Sequence, residues 1–332
     1  MSGITPHDVL HREGTAQLTR FRRPAGSAGL GGSPLLLVPS LINRWYVLDL
    51  REGASLAAAL TRAGIDTWCL DWGIPEDEDR YLAWDQVLDR LARAMRLVRR
   101  HTGAERIGLL GYCMGGTLAG IATALWPEHV ATLINLAGPF DFSQSGLLGT
   151  MVDPRWFDVE AVAAAGNVKP MQMQSGFVAL RPTLQMGKWV NYLDRAHDPR
   201  ARAAFDALEE WSSDNIPFPA AAYETYIREL YQENRLIAGT HHVRGRRVDL
   251  STIRCPVMTI AAEQDTICPL ASARGLNDRV GSTEKELLVV PGGHVGAVVG
   301  SRAEAVLYPA IASWVKRHVP SPMPAPQPAA AV

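Results

Sequence analysis

One cysteine of this sequence stands in a setting that could make it a nucleophile. Residues 111–116 read Gly-Tyr-Cys-Met-Gly-Gly and follow the apolar run 107–110. This is the pattern of a nucleophile elbow with cysteine in place of serine, because an elbow holds its nucleophile on a strained strand-to-helix turn that flanking glycines permit. The small apolar stretch 117–125 would form the buried helix behind the turn. Taken alone, Cys113 could also be a small buried residue in a glycine-rich packing turn, although the motif favours the functional interpretation.

Two later segments could supply an acid and a base. The β-type run 255–262 is followed by Asp265, at the start of a turn, whereas Glu263 at the end of the strand is better suited to supporting the loop. A last strand is predicted at 286–290, and His294 lies in the glycine-rich loop after it. Nucleophile, acid and histidine in this order, each after a strand, are typical of α/β-hydrolase triads.

The three side chains can therefore be given roles. Only a minor fraction of free cysteine is thiolate near neutral pH, so Cys113 needs His294 to take its proton. Asp265 would orient the imidazole and stabilise its charged form. The oxyanion would bind the backbone N–H of Met114 and a second N–H in the loop after the strand 34–38, at Leu41 or its neighbour Ser40.

Several segments resemble the polyhydroxyalkanoate synthases, the family that includes the poly(3-hydroxybutyrate) synthases. Asp-x-Ile-x-Pro at 265–269 and Gly-Gly-His-Val-Gly at 292–296 are similar to the catalytic loops of that family. The likeness runs from about residue 34 to 318, and its other segments are the elbow 111–117, the loop 38–50, and the stretches 70–75, 211–217 and 226–239. The chain is identified as a member of this family.

The resemblance implies a thiol-based acyltransferase. A 3-hydroxyacyl group would pass from 3-hydroxyacyl-coenzyme A to Cys113, free coenzyme A would leave, and the unit would join a growing polyester. In the family the histidine is the base for the thiol, and the aspartate is often assigned to activate the 3-hydroxyl of the incoming unit. These roles fall on His294 and Asp265, and the sequence leaves open whether Asp265 acts directly or through the imidazole. Acyl-coenzyme A is a substrate, and no cofactor or metal is expected.

The chain has little sequence before its first core strand, so it is closer to the short, two-component (class III-like) synthases. This implies a helical accessory subunit, and a homodimer or hetero-oligomer. Two other enzymatic functions remain open, namely transfer of one acyl group to a non-polymer alcohol or amine, and hydrolysis by a cysteine enzyme of the dienelactone hydrolase type. The latter enzymes have no long cap. A non-catalytic granule-binding member would not need all three of Cys113, Asp265 and His294.

Composition fits a large globular enzyme. The chain has 332 residues, of which 47% are hydrophobic, and a net charge of −1. Its arginines are scattered, which argues against nucleic-acid binding. The four cysteines show no metal-ligand spacing, and no long apolar span predicts a signal peptide or transmembrane segment. We expect a cytoplasmic protein with reduced thiols, and association with polyester granules stays open.

The apolar runs predict an α/β-hydrolase fold with a mostly parallel central sheet and a helical cap, or lid. Core strands are expected at 34–38, 65–70, 106–110, 133–137, 256–262 and 286–290, with an amphipathic helix at 81–101. The predicted organisation is an N-terminal arm or small edge strands at 1–33, a core at 34–139 and 251–318, a cap at 140–250, and a disordered Pro/Ala-rich tail at 319–332. In the cap, Met171-Gln172-Met173 and Phe177 could line an acyl tunnel or simply pack helices, and His241-His242 is assigned to a loop surface.

Overall fold

The computed structural model describes residues 3–24, 32–180, 192, 194 and 197–322. Within these residues the main sheet has eight strands, and two small two-stranded ribbons accompany it. In chain order the strands are β1 (His7–Glu13), β2 (Ala16–Phe21), β3 (Pro34–Val38), β4 (Asp49–Arg51), β5 (Ala54–Ser55), β6 (Asp66–Asp71), β7 (Ile107–Tyr112), β8 (Val130–Leu136), β9 (His242–Val243), β10 (Arg246–Arg247), β11 (Val257–Ala262) and β12 (Lys285–Val290).

The α-helices of the same residues are α1 (Leu56–Arg62), α2 (Trp84–Thr102), α3 (Met114–Leu125), α4 (Gly146–Met151), α5 (Val159–Ala164), α6 (Pro170–Leu180), α7 (Pro199–Ser213), α8 (Ala220–Thr225), α9 (Arg235–Ala238), α10 (Leu270–Arg279), α11 (Gly296–Val299) and α12 (Tyr308–His318). Short 3₁₀ turns lie at Trp45–Leu48, Asp77–Tyr81, Pro127–His129, Phe142–Gln144 and Leu250–Thr252, and π-helical turns lie at Tyr226–Gln232 and Ala303–Leu307.

The main sheet is mostly parallel, as predicted. Its strands follow the order β1-β2-β6-β3-β7-β8-β11-β12, and all neighbours from β6 to β12 run parallel. Each of the six core strands expected from the sequence is present. Because parallel strands end at the same edge, the loops after β3, β7, β11 and β12 lie together, and ligands of open α/β sheets bind at this edge.

The sheet separates two hydrophobic cores. Leu36 and Val38 of β3 belong to one core, with helices α2, α3 and α10. Leu35 and Leu37 belong to the other, with α1 and α12. This alternation follows from the two-residue period of a strand. The strand β7 is buried over its whole length between these layers, which explains why the sequence there is a continuous apolar run.

The sheet begins earlier in the chain than the predicted core boundary at residue 34. Strands β1 and β2 form an antiparallel hairpin that pairs with β6 and extends the sheet at one edge. Edge strands are therefore present here and not a loose arm, although residues 25–31 lie outside the described residues. Most of β1 is exposed, so its sequence is polar and carries little of the apolar signal by which the other strands were found.

The insertion between β8 and β11 is mainly helical in its described parts. It contains α4 to α9, the π-helical turn Tyr226–Gln232 and the β9–β10 ribbon. An isolated bridge joins Val168 to Phe218 within it, and another joins Asn43 of the core to Asn215 of the insertion. The insertion, called the cap below, therefore contacts the loop that follows β3.

No helix in the described part of the chain combines the length and apolarity needed to cross a membrane. The predicted disordered tail 319–332 begins too early, because Val319 is buried in the core and its carbonyl accepts from the Ser33 hydroxyl at 2.6 Å. Residues 323–332 lie outside the described residues.

Candidate active site

Cys113 lies on a strained turn between β7 and α3. Its backbone has φ 56° and ψ −131°, a positive-φ conformation that is costly for any residue with a Cβ. The Cys113 N–H donates to the carbonyl of Leu136 at 2.9 Å, and its carbonyl accepts from Gly116 N–H at 2.8 Å. These bonds tie the turn to β8 on one side and to α3 on the other. Such strain, held by surrounding structure, is expected at a nucleophile elbow.

The glycines of the elbow are required by close backbone approach. A Cβ added to Gly115 would lie 1.9 Å from the carbonyl oxygen of Val38, and one added to Gly111 would lie 2.1 Å from the carbonyl oxygen of Gly115. No side chain fits at either position without moving backbone. The glycines thus let the elbow pack directly against the end of β3, which brings the loop after β3 close to Cys113.

Asn135 supports the elbow from β8, and the sequence analysis did not identify it. Its side chain donates to the carbonyl of Gly138 at 2.9 Å and accepts from the Gly138 N–H at 3.0 Å. A Cβ on Gly116 would lie 2.1 Å from Asn135 Oδ1. A buried amide in an otherwise apolar strand was the available signal, because such a group needs partners.

Asp265 and His294 form a buried hydrogen-bonded pair. Nδ1–H of His294 donates to Oδ2 of Asp265 at 2.7 Å, and 7% of the His294 side chain and none of the Asp265 side chain is exposed. The other carboxylate oxygen, Oδ1, accepts the N–H groups of Ile267 and Cys268, each at 2.8 Å. The acid and base loops are further joined by the Gln264 N–H, which donates to the carbonyl of Gly292 at 2.9 Å.

The environment of His294 favours its protonated form. Burial alone would lower the pKa of His294, but the charges of Cys113 and Asp265 and hydrogen-bonding interactions with both residues raise it to about 10. The ring packs against Tyr112, with 5.3 Å between the ring centroids. Its Nε2 is buried and makes no well-formed hydrogen bond with a described protein atom, and with Nδ1 bonded to Asp265 it is the nitrogen that interacts with Cys113. That nitrogen is therefore placed to exchange a proton with Cys113 or with a substrate.

A largely apolar cavity of about 230 Å³ reaches Cys113. Its walls come from the core and the cap, and they include Ile42, Pro139, Leu148, Met151, Val152, Phe157, Gln172, Met173, Gly176, Phe177, Phe218, Tyr223, Tyr226, Ile227, Tyr231 and Ile267. Gln172, Met173 and Phe177 thus line the cavity, whereas the side chain of Met171 is 79% exposed. The site can hold an apolar acyl group beside a thiol.

Met114 and either Leu41 or Ser40 remain the candidate N–H donors of the oxyanion site. Met114 is the first residue of α3, so its N–H has no carbonyl partner within the helix. Leu41 and Ser40 are buried in the loop after β3, and Ser40 Oγ accepts the N–H of Ile42 at 3.3 Å. Since Gly115 packs against Val38, the start of α3 and this loop are held side by side.

Three tyrosines in the cavity wall were missed by the sequence analysis. Tyr223, Tyr226 and Tyr231 all line the cavity, and burial raises the pKa of each of them. Tyr226 and Tyr231 are five residues apart, which places them on different faces of an α-helix with about 3.6 residues per turn. The π-helical turn Tyr226–Gln232 brings the centroids of the two rings to 5.4 Å from each other. Nothing in the sequence pattern indicates such a turn.

The assignment of His241 to a loop surface is wrong. Its side chain is fully buried, Nδ1 donates to a carboxylate oxygen of Glu229 at 2.8 Å, and Nε2 accepts from the indole N–H of Trp84 at 3.2 Å. Packing of the cap on the start of α2 buries this ring. The neighbouring His242 is exposed, as expected.

Two other residues in the family-like segments also have structural contacts. Trp211 is buried and donates its indole N–H to the carbonyl of Arg44 at 2.9 Å. Asn234 has φ 48°, accepts the N–H of Phe142 at 3.0 Å and donates to Asp141 at 2.9 Å.

Comparison with known proteins identifies the family. Residues 33–301 match the model of the alpha/beta hydrolase fold. The chain is 32% identical to the poly(3-hydroxyalkanoate) polymerase subunit PhaC of Allochromatium vinosum, over 96% of this chain and 90% of that protein. It is also 32% identical to the protein of the same name from Synechocystis, over 95% of this chain and 85% of that protein.

Among solved structures, a putative lipase from Sulfolobus solfataricus has a TM-score of 0.58 at 15% identity, covering 94% of this chain and 99% of that one. This likeness concerns the fold alone and agrees with the α/β-hydrolase architecture expected from the sequence. The chain therefore belongs to the family of poly(3-hydroxyalkanoate) polymerase PhaC proteins, within the alpha/beta hydrolase fold.

Proposed function

We propose that this protein polymerises 3-hydroxyacyl groups from 3-hydroxyacyl-coenzyme A into polyhydroxyalkanoate, with Cys113 as the nucleophile. The observation that carries the proposal is the position of Cys113, on a strained elbow at an apolar cavity, in a chain whose relatives are named poly(3-hydroxyalkanoate) polymerases. The buried Asp265–His294 pair supplies the base that such chemistry needs.

In the acylation step, Nε2 of His294 takes the proton of the Cys113 thiol. The sulfur then attacks the thioester carbonyl, and the oxyanion binds the N–H groups of Met114 and of Leu41 or Ser40. Collapse of this intermediate breaks the bond to the coenzyme A sulfur, which leaves with the proton held by His294. The raised pKa of His294, about 10, suits a group that must hold this proton beside a thiolate.

In the elongation step, a 3-hydroxyl group attacks the Cys113 thioester. Its proton moves to Nε2 of His294, the new ester bond forms, and the Cys113 sulfur leaves and is reprotonated. The apolar walls of the cavity favour this reaction over hydrolysis, because they offer few hydrogen-bond partners that could hold ordered water at the thioester.

Asp265 acts through the imidazole in this scheme. Its side chain is fully inaccessible, Oδ2 is bonded to His294, and Oδ1 accepts two backbone N–H groups. A direct role on the 3-hydroxyl would need an oxygen that faces the cavity. These contacts therefore favour the second of the two roles that the sequence left open.

We further propose that the protein acts as the catalytic subunit of an assembly, with a helical accessory subunit and as a homodimer or hetero-oligomer. The name of its relatives, which are called subunits, supports this. The described cysteines are all free, in keeping with a reducing cytoplasm, and the polyester product would place the enzyme at granule surfaces.

The test uses 3-hydroxybutyryl-coenzyme A with the wild type and with Cys113→Ala, in the presence and absence of the accessory subunit. Cys255→Ala is the matched control, because Cys255 is free and lies outside the cavity lining. We expect free thiol release, Cys113-linked oligomers by intact mass, and insoluble polyester from the wild type and the control, and none from Cys113→Ala.

Other outcomes would replace the proposal. Release of free 3-hydroxybutyrate without polymer would indicate a hydrolase. A single stable acyl adduct on Cys113 would indicate a transferase for a different alcohol or amine. Thiol release by Cys113→Ala at a rate near that of the wild type would exclude Cys113 as the nucleophile.

A further inference from the structure

The loop that carries the second oxyanion donor is held by the cap. This oxyanion loop, residues 39–46, follows β3, and the cap segment 211–216, called the clamp below, lies against it. The N–H of Ile216 donates to the carbonyl of Ile42 at 3.3 Å, and the indole of Trp211 donates to the carbonyl of Arg44 at 2.9 Å. Two carbonyl groups of the loop thus find their partners in the cap, whereas that of Pro39 accepts from the indole N–H of Trp72 in the core at 2.9 Å.

Side chains add two further bonds between the same segments. The Asn43 amide donates to Oδ1 of Asn215, and the hydroxyl of Tyr46 donates to Oδ2 of Asp214 at 2.8 Å. Tyr46 is buried, and its burial, with the hydrogen bond to Asp214, raises its pKa well above the usual value. The phenol therefore stays protonated and remains a donor throughout the working pH range of a cysteine enzyme.

Asn215 also connects the oxyanion loop to the wall of the cavity. Its amide nitrogen donates to Oε1 of Gln174 at 2.8 Å and to the carbonyl of Ser212 at 2.9 Å. Gln174 lies on α6, between cavity-lining residues of that helix such as Met173 and Phe177. One side chain thus joins the helix that would contact an acyl group to the loop that would hold its carbonyl.

We infer that the clamp sets the position of the second oxyanion donor, with Asn215 and Asp214 as positioning residues. The inference rests on the proposed acyl transfer at Cys113. A shift of α6 on contact with the acyl group would then act through Asn215 on the position of the N–H of residue 41 or 40. Removing an oxyanion donor typically costs about 10²- to 10³-fold in rate, and a displacement of about 1 Å can cost about 10²-fold.

The competing interpretation is that the clamp only fastens the cap to the core. The two interpretations differ in which reactions of Cys113 respond. Alkylation by iodoacetamide depends on the thiolate and its histidine but forms no oxyanion. Acylation by an ester or thioester depends on both the thiolate and the oxyanion site. A positioning role therefore affects acylation alone, whereas a fastening role affects stability, or both reactions together.

The experiment compares Asn215→Ala with Ser213→Ala, whose side chain lies in the same segment but, among the described residues, bonds to the carbonyl of Glu210 alone. Three quantities are measured: the rate of Cys113 alkylation followed by peptide mass, the single-turnover rate of coenzyme A release, and the thermal midpoint. For Asn215→Ala we expect acylation to fall by about 10- to 100-fold and alkylation to stay within about two-fold of the wild type. Ser213→Ala should leave both rates unchanged.

Tyr46→Phe is a second, milder variant in case Asn215→Ala does not fold. It removes only the hydroxyl bonded to Asp214, and we expect acylation to fall by about three- to ten-fold with alkylation preserved. Equal losses in acylation and alkylation, or unchanged acylation in both variants, would overturn the inference and leave the clamp as a fastening.

A further substrate separates this inference from the proposed function. The acylation of Cys113 by p-nitrophenyl butyrate passes through the same oxyanion without needing coenzyme A. If the wild type reacts with this ester but not with 3-hydroxybutyryl-coenzyme A, the proposed polymerase function fails. The role of the clamp can then still be tested by the rates at which the variants are acylated by the ester. If the selective loss in Asn215→Ala is absent with the ester, the clamp inference fails whatever the natural substrate is.

Discussion

Two buried histidine–carboxylate pairs occur in the described part of this protein, and they differ in the second ring nitrogen. His294 donates Nδ1–H to Asp265 at 2.7 Å, and His241 donates Nδ1–H to Glu229 at 2.8 Å. Nε2 of His241 accepts the indole N–H of Trp84, whereas Nε2 of His294 has no well-formed partner in the described residues. A buried pair of this kind is therefore not by itself a catalytic site, and the free nitrogen beside a nucleophile distinguishes the two.

The two pairs also differ in what they hold together. The His294 pair joins two loops at the carboxyl edge of the sheet, beside Cys113. The His241 pair joins the π-helical turn of the cap to the start of α2, and Trp84 in turn stacks on Tyr226, with 5.5 Å between ring centroids. Tyr226 lines the acyl cavity. His241 thus contributes to the shape of the cavity wall, but it has no nitrogen left for chemistry.

The largest expected effect is on the rate of Cys113 acylation, which should depend on His294 far more than on His241. His294→Gln should lower the rate of Cys113 acylation by about 10³-fold, within the range of about 10²- to 10⁴-fold that general acid–base catalysis supplies. His241→Gln should lower it by less than ten-fold, because it changes only the support of the wall. Single-turnover release of coenzyme A measures both. Comparable losses in the two variants would remove the distinction drawn from Nε2.

The second expected effect is on stability, and it concerns the His241–Glu229 pair. His241→Ala leaves the indole N–H of Trp84 and the carboxylate of Glu229 without their buried partner, and we expect it to lower the free energy of unfolding by about 2–4 kcal/mol. Urea unfolding followed by tryptophan fluorescence measures this.

The neighbouring His242 provides the control for that measurement. It is exposed, and its ring hydrogen-bonds to the carbonyl of its neighbour Thr240 at 2.9 Å. His242→Ala should change the free energy of unfolding by less than about 0.5 kcal/mol. If the two alanine variants were equally stable, the hydrogen bonds of His241 would not contribute to the fold as described.

The two pairs also show what the sequence could reveal and what it could not. Asp265 and His294 were predictable because each follows a short apolar strand, and the order of a triad along the chain is fixed by the order of those strands. His241 was assigned to the surface because its partner Trp84 is 157 residues away, and only the packing of the cap on α2 brings them together.

Other parts of the fold also differ in how far the sequence reveals them. The central strands were found because burial on both faces leaves continuous apolar runs, whereas the exposed β1 has no such run. Tyr226 and Tyr231 were missed because their proximity depends on a π-helical turn. Contacts that depend on local register or on long-range packing leave no periodic trace in the chain.

The smallest expected effect sharpens the account of the His241 pair. The hydrogen bond from His241 above all lowers the pKa of Glu229 below its usual value of 4.5. A carboxyl group whose pKa is lower in the folded state than in the unfolded state stabilises the fold at pH values above its unfolded-state pKa. That stability is lost as the pH falls through the folded-state pKa. Glu229→Gln should therefore cost about 1 kcal/mol near neutral pH, and the difference from the wild type should shrink as the pH falls below 4.5.

Glu233→Gln is the matched control, since Glu233 pairs with Arg235, as Glu229 also does, but its side chain is 40% exposed. An exposed ion pair contributes about 0–1 kcal/mol, so this variant should be close to the wild type at every pH. The measurement is the free energy of unfolding from urea titrations between neutral and acidic pH. If Glu229→Gln kept a constant difference across this range, its cost would come from lost packing. The charge of the pair would then not stabilise the contact between the cap and α2.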